Sequence, residues 1–129
     1  MSACVLVVHD SPEFLDRAAS ALRVAGYDVT CHSSPLAAID DVEGGTEIDA
    51  LVTGLAFPAG SPHGVSLIRM LRERRRGLPV VLVAGTEEAA TAAESIGELL
   101  PSIVDPVGLP AAVAGAIRKA LGTRGRAFC

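Results

Sequence analysis

Five short, mostly apolar runs recur along the chain, and each is followed by residues that start a helix. Val5-Leu6-Val7-Val8 leads to Ser11-Pro12-Glu13, and the run from Tyr27 to Cys31 leads to Ser34-Pro35. Asp49 to Thr53 is followed, after a loop, by Gly64, and Pro79 to Ala84 is followed by Thr86-Glu87-Glu88. Ser102-Ile103-Val104 leads to Asp105-Pro106 and then Pro110. Short apolar runs bounded by turn residues fit strands covered on both faces. Strand–helix alternation repeated five times leaves few topologies, because crossovers between parallel strands are right-handed. The expected fold class is α/β, a parallel sheet with helices on both faces.

The helix signals are local and physical. Ser11 and Ser34 are placed to cap the first two helices, each with a proline at the first helical position. Phe14, Leu15, Ala18, Ala21, Leu22 and Ala25 follow at helical spacing, and Gly26 ends the pattern. Leu36, Ile39 and Val42 mark the buried side of the second helix, which stops at Gly44-Gly45. Val65, Leu67, Ile68 and Leu71 mark the third, which finishes in Arg72-Glu73-Arg74-Arg75-Arg76, read as a solvated helix end. Thr86 is the expected cap of a fourth helix from Glu87 to Leu100. The last helix is expected from about Pro110 to Leu121. His32 and His63 read as loop residues.

Length and charge bound the function. A chain of 129 residues is one domain in size, and its net charge of −4 argues against nucleic acid as the main partner. No apolar run approaches the ~20 residues that span a bilayer, so no membrane partner and a cytoplasmic location are expected. Cys4 and Cys31 fall at opposite ends of two strands, too far apart for the ~4.4–6.8 Å Cα spacing of a disulfide. The domain is expected over 1–122, with 123–129 a tail or the start of a linker.

In parallel sheets of this kind, chemistry sits beyond the carboxyl ends of the strands. The central strand ends at Gly54, where a side chain would be most useful and none exists. Asp49 lies at the other end of that strand, roughly 16 Å away at ~3.3 Å per residue, and Thr53 points to the opposite face. His9, Asp10 and Asp105 are expected at the same edge as Gly54, which leaves open space between them.

The order of these elements resembles the receiver domain of two-component response regulators. Val-Leu-Val-Val before a polar pair and a Pro-Glu helix start carries the resemblance, as does Ala25-Gly26-Tyr27-Asp28-Val29. So do Pro58 four residues past the central strand, Gly64 opening the next helix, Pro79-Val80-Val81-Leu82-Val83 and Val104-Asp105-Pro106. The resemblance covers residues 4 to about 121. It implies a CheY-like, flavodoxin-like five-stranded sheet in the order 2-1-3-4-5.

The resemblance also implies a site. A receiver phosphorylates an aspartate at the end of the third strand, with Mg²⁺ on two acids after the first. A hydroxyl after the fourth strand and a lysine after the fifth bind the phosphoryl oxygens. Those positions fall here on His9 and Asp10, Gly54, Ala84 and Asp105, so one acid remains and the acceptor, hydroxyl and lysine do not. Lys119 is the one lysine in the chain. The expectation is a pseudo-receiver with no catalytic residue, acting through protein contact rather than as an enzyme.

No cofactor is expected, although His9, Asp10 and Asp105 form a donor set for Mg²⁺ or another divalent metal. A metal- or small-ligand-binding domain, or an atypical phosphoacceptor in a phosphorelay, is the alternative. The small residues of helices four and five point to a protein partner or a homodimer through helix 4, strand 5 and helix 5.

Overall fold

A computed structural model describes residues 3–58 and 63–128, with side chains described to Leu121. The elements run β1 (Cys4–Val8), α1 (Pro12–Val24), β2 (Asp28–His32), α2 (Pro35–Glu43), β3 (Ala50–Gly54) and α3 (Gly64–Arg74). They continue with β4 (Val80–Val83), α4 (Thr86–Ile96), β5 (Ser102–Ile103), a 3₁₀ turn (Pro106–Gly108) and α5 (Leu109–Phe128). The strands form one parallel sheet in the order β2-β1-β3-β4-β5, with Val8 level with Thr53 and Gly54 level with Val83. Both the α/β class and the 2-1-3-4-5 order expected from the sequence are correct.

Alternation along the strands sends side chains to two cores. Leu6, Val8, Leu51 and Leu82 face one way and pack with Leu67, Ile68 and Leu71 of α3. Val5, Val7, Val52 and Val81 face the other way, against Ala18 and Leu22 of α1 and Leu109 and Val113 of α5. Each Val, Leu or Ile among them, fully buried, contributes about 1.5–3 kcal/mol relative to exposure. Every residue of β3 is buried, as expected of a central strand.

The first two caps form as predicted: Ser11 Oγ accepts from Phe14 N–H and Ser34 Oγ from Ala37 N–H. Several local expectations are corrected. Thr86 does not cap α4; Gly85 holds the cap position with no side-chain hydrogen bond. α4 stops at Ile96 rather than Leu100, because Gly97 turns left-handed at φ 82° and its N–H closes on Ala93 O. Leu36 is exposed, and α2 buries Pro35, Ala38 and Ile39 instead. α5 passes Leu121 and continues to Phe128. Cys4 is level with Asp28 and Cys31 with Val7, and both are free thiols.

The arginine run is largely solvated as expected, with Glu73, Arg74 and Arg76 exposed, but it also makes contacts. Arg72 donates to Glu98 and to the Leu78 carbonyl, Arg74 pairs with Glu43 at 3.4 Å, and Arg75 donates to Asp49 at 3.0 Å. Arg72 and Arg75, both partly buried, thus tie elements together.

Candidate functional site

β1 and β3 are hydrogen-bonded neighbours, so the residues just past Val8 and Thr53 meet at the centre of the carboxyl edge. His9 leaves β1 with its N–H donating to the His32 carbonyl at 3.2 Å. Its ring then folds back over the start of α1 and stacks on Phe14, with centroids 4.4 Å apart and planes 25° from parallel. Ser11 N–H donates to His9 Nδ1 at 3.0 Å. Nδ1 is therefore the acceptor nitrogen, and the ring proton of the neutral form resides on Nε2. Burial pushes the His9 pKa below its ordinary value, opposed by the charge of Asp10, whose carboxylate lies 3.5 Å from Nδ1.

The space over Gly54 is filled. A Cβ placed on Gly54 would stand 3.2 Å from His9 Cδ2, 3.7 Å from Nε2 and 3.9 Å from Phe57 Cζ. The gap expected there is closed by two rings of the chain itself. From the other side, α3 begins against the same backbone. Gly64 N–H donates to Leu55 O at 2.8 Å, and a Cβ on Gly64 would run into the Gly54 carbonyl oxygen and lie 2.8 Å from Leu55 Cα. Gly64 is a glycine because two stretches of backbone touch there. Thr53 points away and is wholly buried, with its hydroxyl donating to Gly54 O at 2.8 Å.

The other predicted positions are occupied with local work. Ala84 is half-buried against the core, with its N–H donating to Ile103 O at 3.0 Å. Asp105 Oδ1 accepts from Val107 N–H at 3.0 Å and caps the 3₁₀ turn. It also borders a groove of about 310 Å³ against Ser11, Phe14 and Arg17 of α1. Among the described residues no three His, Cys, Asp or Glu side chains are arranged to hold a metal ion. Of the donor set His9, Asp10 and Asp105, His9 and Asp10 adjoin, while Asp105 turns its carboxylate onto its own chain. Asp49 sits at the far edge as expected, accepting from Cys4 N–H at 2.8 Å and from Arg75.

The two histidines read as loop residues have structural roles. His32 is the last residue of β2, and its Nε2 meets Asp41 Oδ2 of α2 at 2.8 Å. Asp41 Oδ1 also accepts from the Thr46 hydroxyl at 2.5 Å. His63 caps α3, with Nδ1 accepting from Val65 N–H at 3.2 Å. Histidine in a cap position gives little sequence signal beside Ser, Thr, Asp or Asn.

Residues 5–99 match the response regulator receiver domain. The chain belongs to the response regulator receiver family. This receiver domain is similar in structure to a response regulator receiver protein from Sinorhizobium medicae WSM419, at 25% identity and a TM-score of 0.78. That match covers 92% of this chain and 97% of the other.

A CheY-like receiver domain protein from Methanospirillum hungatei JF-1 shares the fold at 16% identity and a TM-score of 0.78, covering 95% of this chain and 99% of that one. The N-terminal domain of a response regulator/sensory box/GGDEF 3-domain protein from Carboxydothermus hydrogenoformans shares it at 22% identity and 0.79, covering 93% and 98%. No curated protein matches the chain. In this receiver domain the centre of the carboxyl edge is packed with His9, Phe14 and Phe57.

Proposed function

We propose that this receiver domain signals without phosphoryl transfer at its central strand, by contact with a protein partner or a second copy of itself. The observation that carries the reading is the His9 ring set against Gly54, where an acceptor side chain would need to stand. Gly54 offers no nucleophile, and Ala84 offers no hydroxyl. Asp105 brings a carboxylate where the family resemblance implies a lysine. A carboxylate at this edge opposes rather than attracts an incoming phosphoryl oxygen.

Mg²⁺ binding does not fit the residues at this edge. Mg²⁺ takes hard oxygen ligands. Asp10 supplies a carboxylate, but His9 has its Nδ1 engaged by Ser11 N–H and its face engaged by Phe14. No catalytic step is assigned to the domain, and no nucleic acid or membrane contact. No helix among the described residues is long and apolar enough to cross a membrane, in keeping with action in the cytoplasm.

The contact surface proposed is the flank of α4, β5 and α5. Val104 and Val107, just past β5, are both more than 70% exposed, and neighbouring exposed apolar side chains mark interaction surfaces better than scattered ones. Incubation with a small-molecule phosphodonor and Mg²⁺, followed by intact mass, tests the reading. The mass is expected to stay unchanged. A gain of ~80 Da that is lost on treatment with hydroxylamine, as an acyl phosphate would be, overturns it.

A further inference from the structure

The helix starts are held by side chains of different chemistry. Ser11 and Ser34 cap α1 and α2 through hydroxyls, and Asp105 caps the 3₁₀ turn through a carboxylate. α3 is capped by an imidazole. His63 holds the N-cap position with extended backbone, φ −70° and ψ 155°, and its Nδ1 accepts from Val65 N–H at 3.2 Å. Near neutral pH a serine hydroxyl does not titrate and an aspartate stays ionised, whereas histidine changes charge between about pH 5 and 8. α3 therefore starts on a cap that a proton can remove.

This start is also where α3 is registered on the central strand. Gly64 N–H donates to Leu55 O at 2.8 Å, and backbone of Gly54 and Leu55 fills the place a Cβ on Gly64 would take. Val65, whose N–H the imidazole holds, is buried in the core that packs on this side of the sheet. A change at His63 acts on the first turn of α3, at the tip of β3.

A second partner lies within the same neighbourhood. A groove of about 310 Å³ separates the start of α3 from α4, with Leu55, Val65 and Ala92 in its lining. His63 borders it from the α3 side and Glu88 from α4, and among the described residues lining it Glu88 alone is acidic. Glu88 belongs to the first turn of α4, whose cap residue Gly85 makes no side-chain hydrogen bond. On α3 itself the next charges are Arg69 and Arg72, beyond the first turn.

In the neutral ring, Nδ1 carries the lone pair that Val65 N–H uses, and the proton sits on Nε2. Protonation makes Nδ1 a donor, so that two N–H groups face each other, and it sets a positive charge on the positive end of the α3 dipole. Glu88 is the group in the groove with which an imidazolium can form a charge-assisted hydrogen bond. We infer that His63 is a proton-operated cap: neutral, it fastens the first turn of α3 beside the tip of β3; charged, it releases Val65 and turns across the groove to Glu88. The groove is then open in the neutral form and bridged in the charged form. Neither state needs a partner protein, so failure of the switch is separable from failure of the interaction proposal.

NMR on the whole chain between about pH 8 and pH 5 tests the switch. As the His63 ring signals titrate, the protection factor of the Val65 amide, corrected for the intrinsic pH dependence of exchange, is expected to fall roughly fivefold, as for the loss of one cap. A nuclear Overhauser contact between the His63 ring and the Glu88 side chain is expected at the acidic end and not at the other. His63 and Glu88 are both exposed, so variants at either leave the core intact. In E88Q the ring contact is expected to be lost while Val65 is still released. In H63D, where a carboxylate caps α3 throughout this range, Val65 protection is expected to stay level. H63D leaves His9 and His32 in place, so a Val65 response that persists in it overturns the inference. A Val65 amide that keeps its protection while His63 titrates, or a charged ring that makes no contact with Glu88, overturns it as well.

Discussion

The carboxyl edge around Gly54 and the corner formed by α4 and β5 belong to one sheet but are held by different physics. At Gly54 the chain packs ring on ring and backbone on backbone: His9 against Phe14 and Gly54, and Gly64 against Gly54 and Leu55. At the corner the contacts are charged side chains reaching across from α3, beside shallow grooves. In a fold whose chemistry normally sits at the first region, that region is packed with rings, while α4 fully buries Ala92 alone. The action through a surface proposed above rests on this difference.

Core truncation gives the largest expected contrast. L67A, at a fully buried position of α3, is expected to cost about 2–5 kcal/mol in denaturant unfolding. I96A, on the thinly packed α4, is expected to cost roughly 1 kcal/mol, since Ile96 is only partly buried. Similar costs for the two would erase the distinction between the regions.

A smaller contrast comes from pH. Burial lowers the His9 pKa, so the unfolded chain, with its ordinary value of 6.5, binds a proton that the folded chain resists. The resulting stability is fully present above pH 6.5 and is lost as pH falls from there toward the folded value. Asp49 is lowered by the Cys4 N–H and then by Arg75, and Asp41 by the Thr46 hydroxyl and then by His32. Their contributions are present above the ordinary value of 3.8 and are lost as pH falls from there toward their folded values. Unfolding midpoints across pH should therefore decline in two steps, with H9A flattening the upper step and D49N the lower. An H9A profile that keeps its decline between pH 7 and 5 would show that the ring is not buried as described.

Much of the fold was legible because its signals are local. Serine followed by proline marks α1 and α2, and short β-branched runs mark the strands. The misreadings have local causes too. Thr86 is a good capping residue, but Gly85 reaches the cap position first. Leu99 and Leu100 continued the apolar pattern of α4 past a Gly97 that ends it.

The candidate site was legible only as a set of strand ends. That His9, Asp10, Gly54, Ala84 and Asp105 follow their strands was readable from the sequence. The direction of the His9 ring was not, since it depends on a rotamer chosen by Phe14 and Ser11. Nor could the sequence show that Gly64 is fixed by contact with the Gly54 carbonyl, or that Arg72 and Arg75 reach carboxylates 26 residues away.

The central claim is that the His9 ring uses the space a side chain at position 54 would need. A double-mutant cycle between His9 and Gly54, read by denaturant unfolding, tests it most directly. G54D is expected to cost at least ~1 kcal/mol more in the presence of His9 than in an H9A background, within the range seen for residues in contact. An equal cost in both backgrounds would mean that the ring does not occupy that space, and would contradict the account.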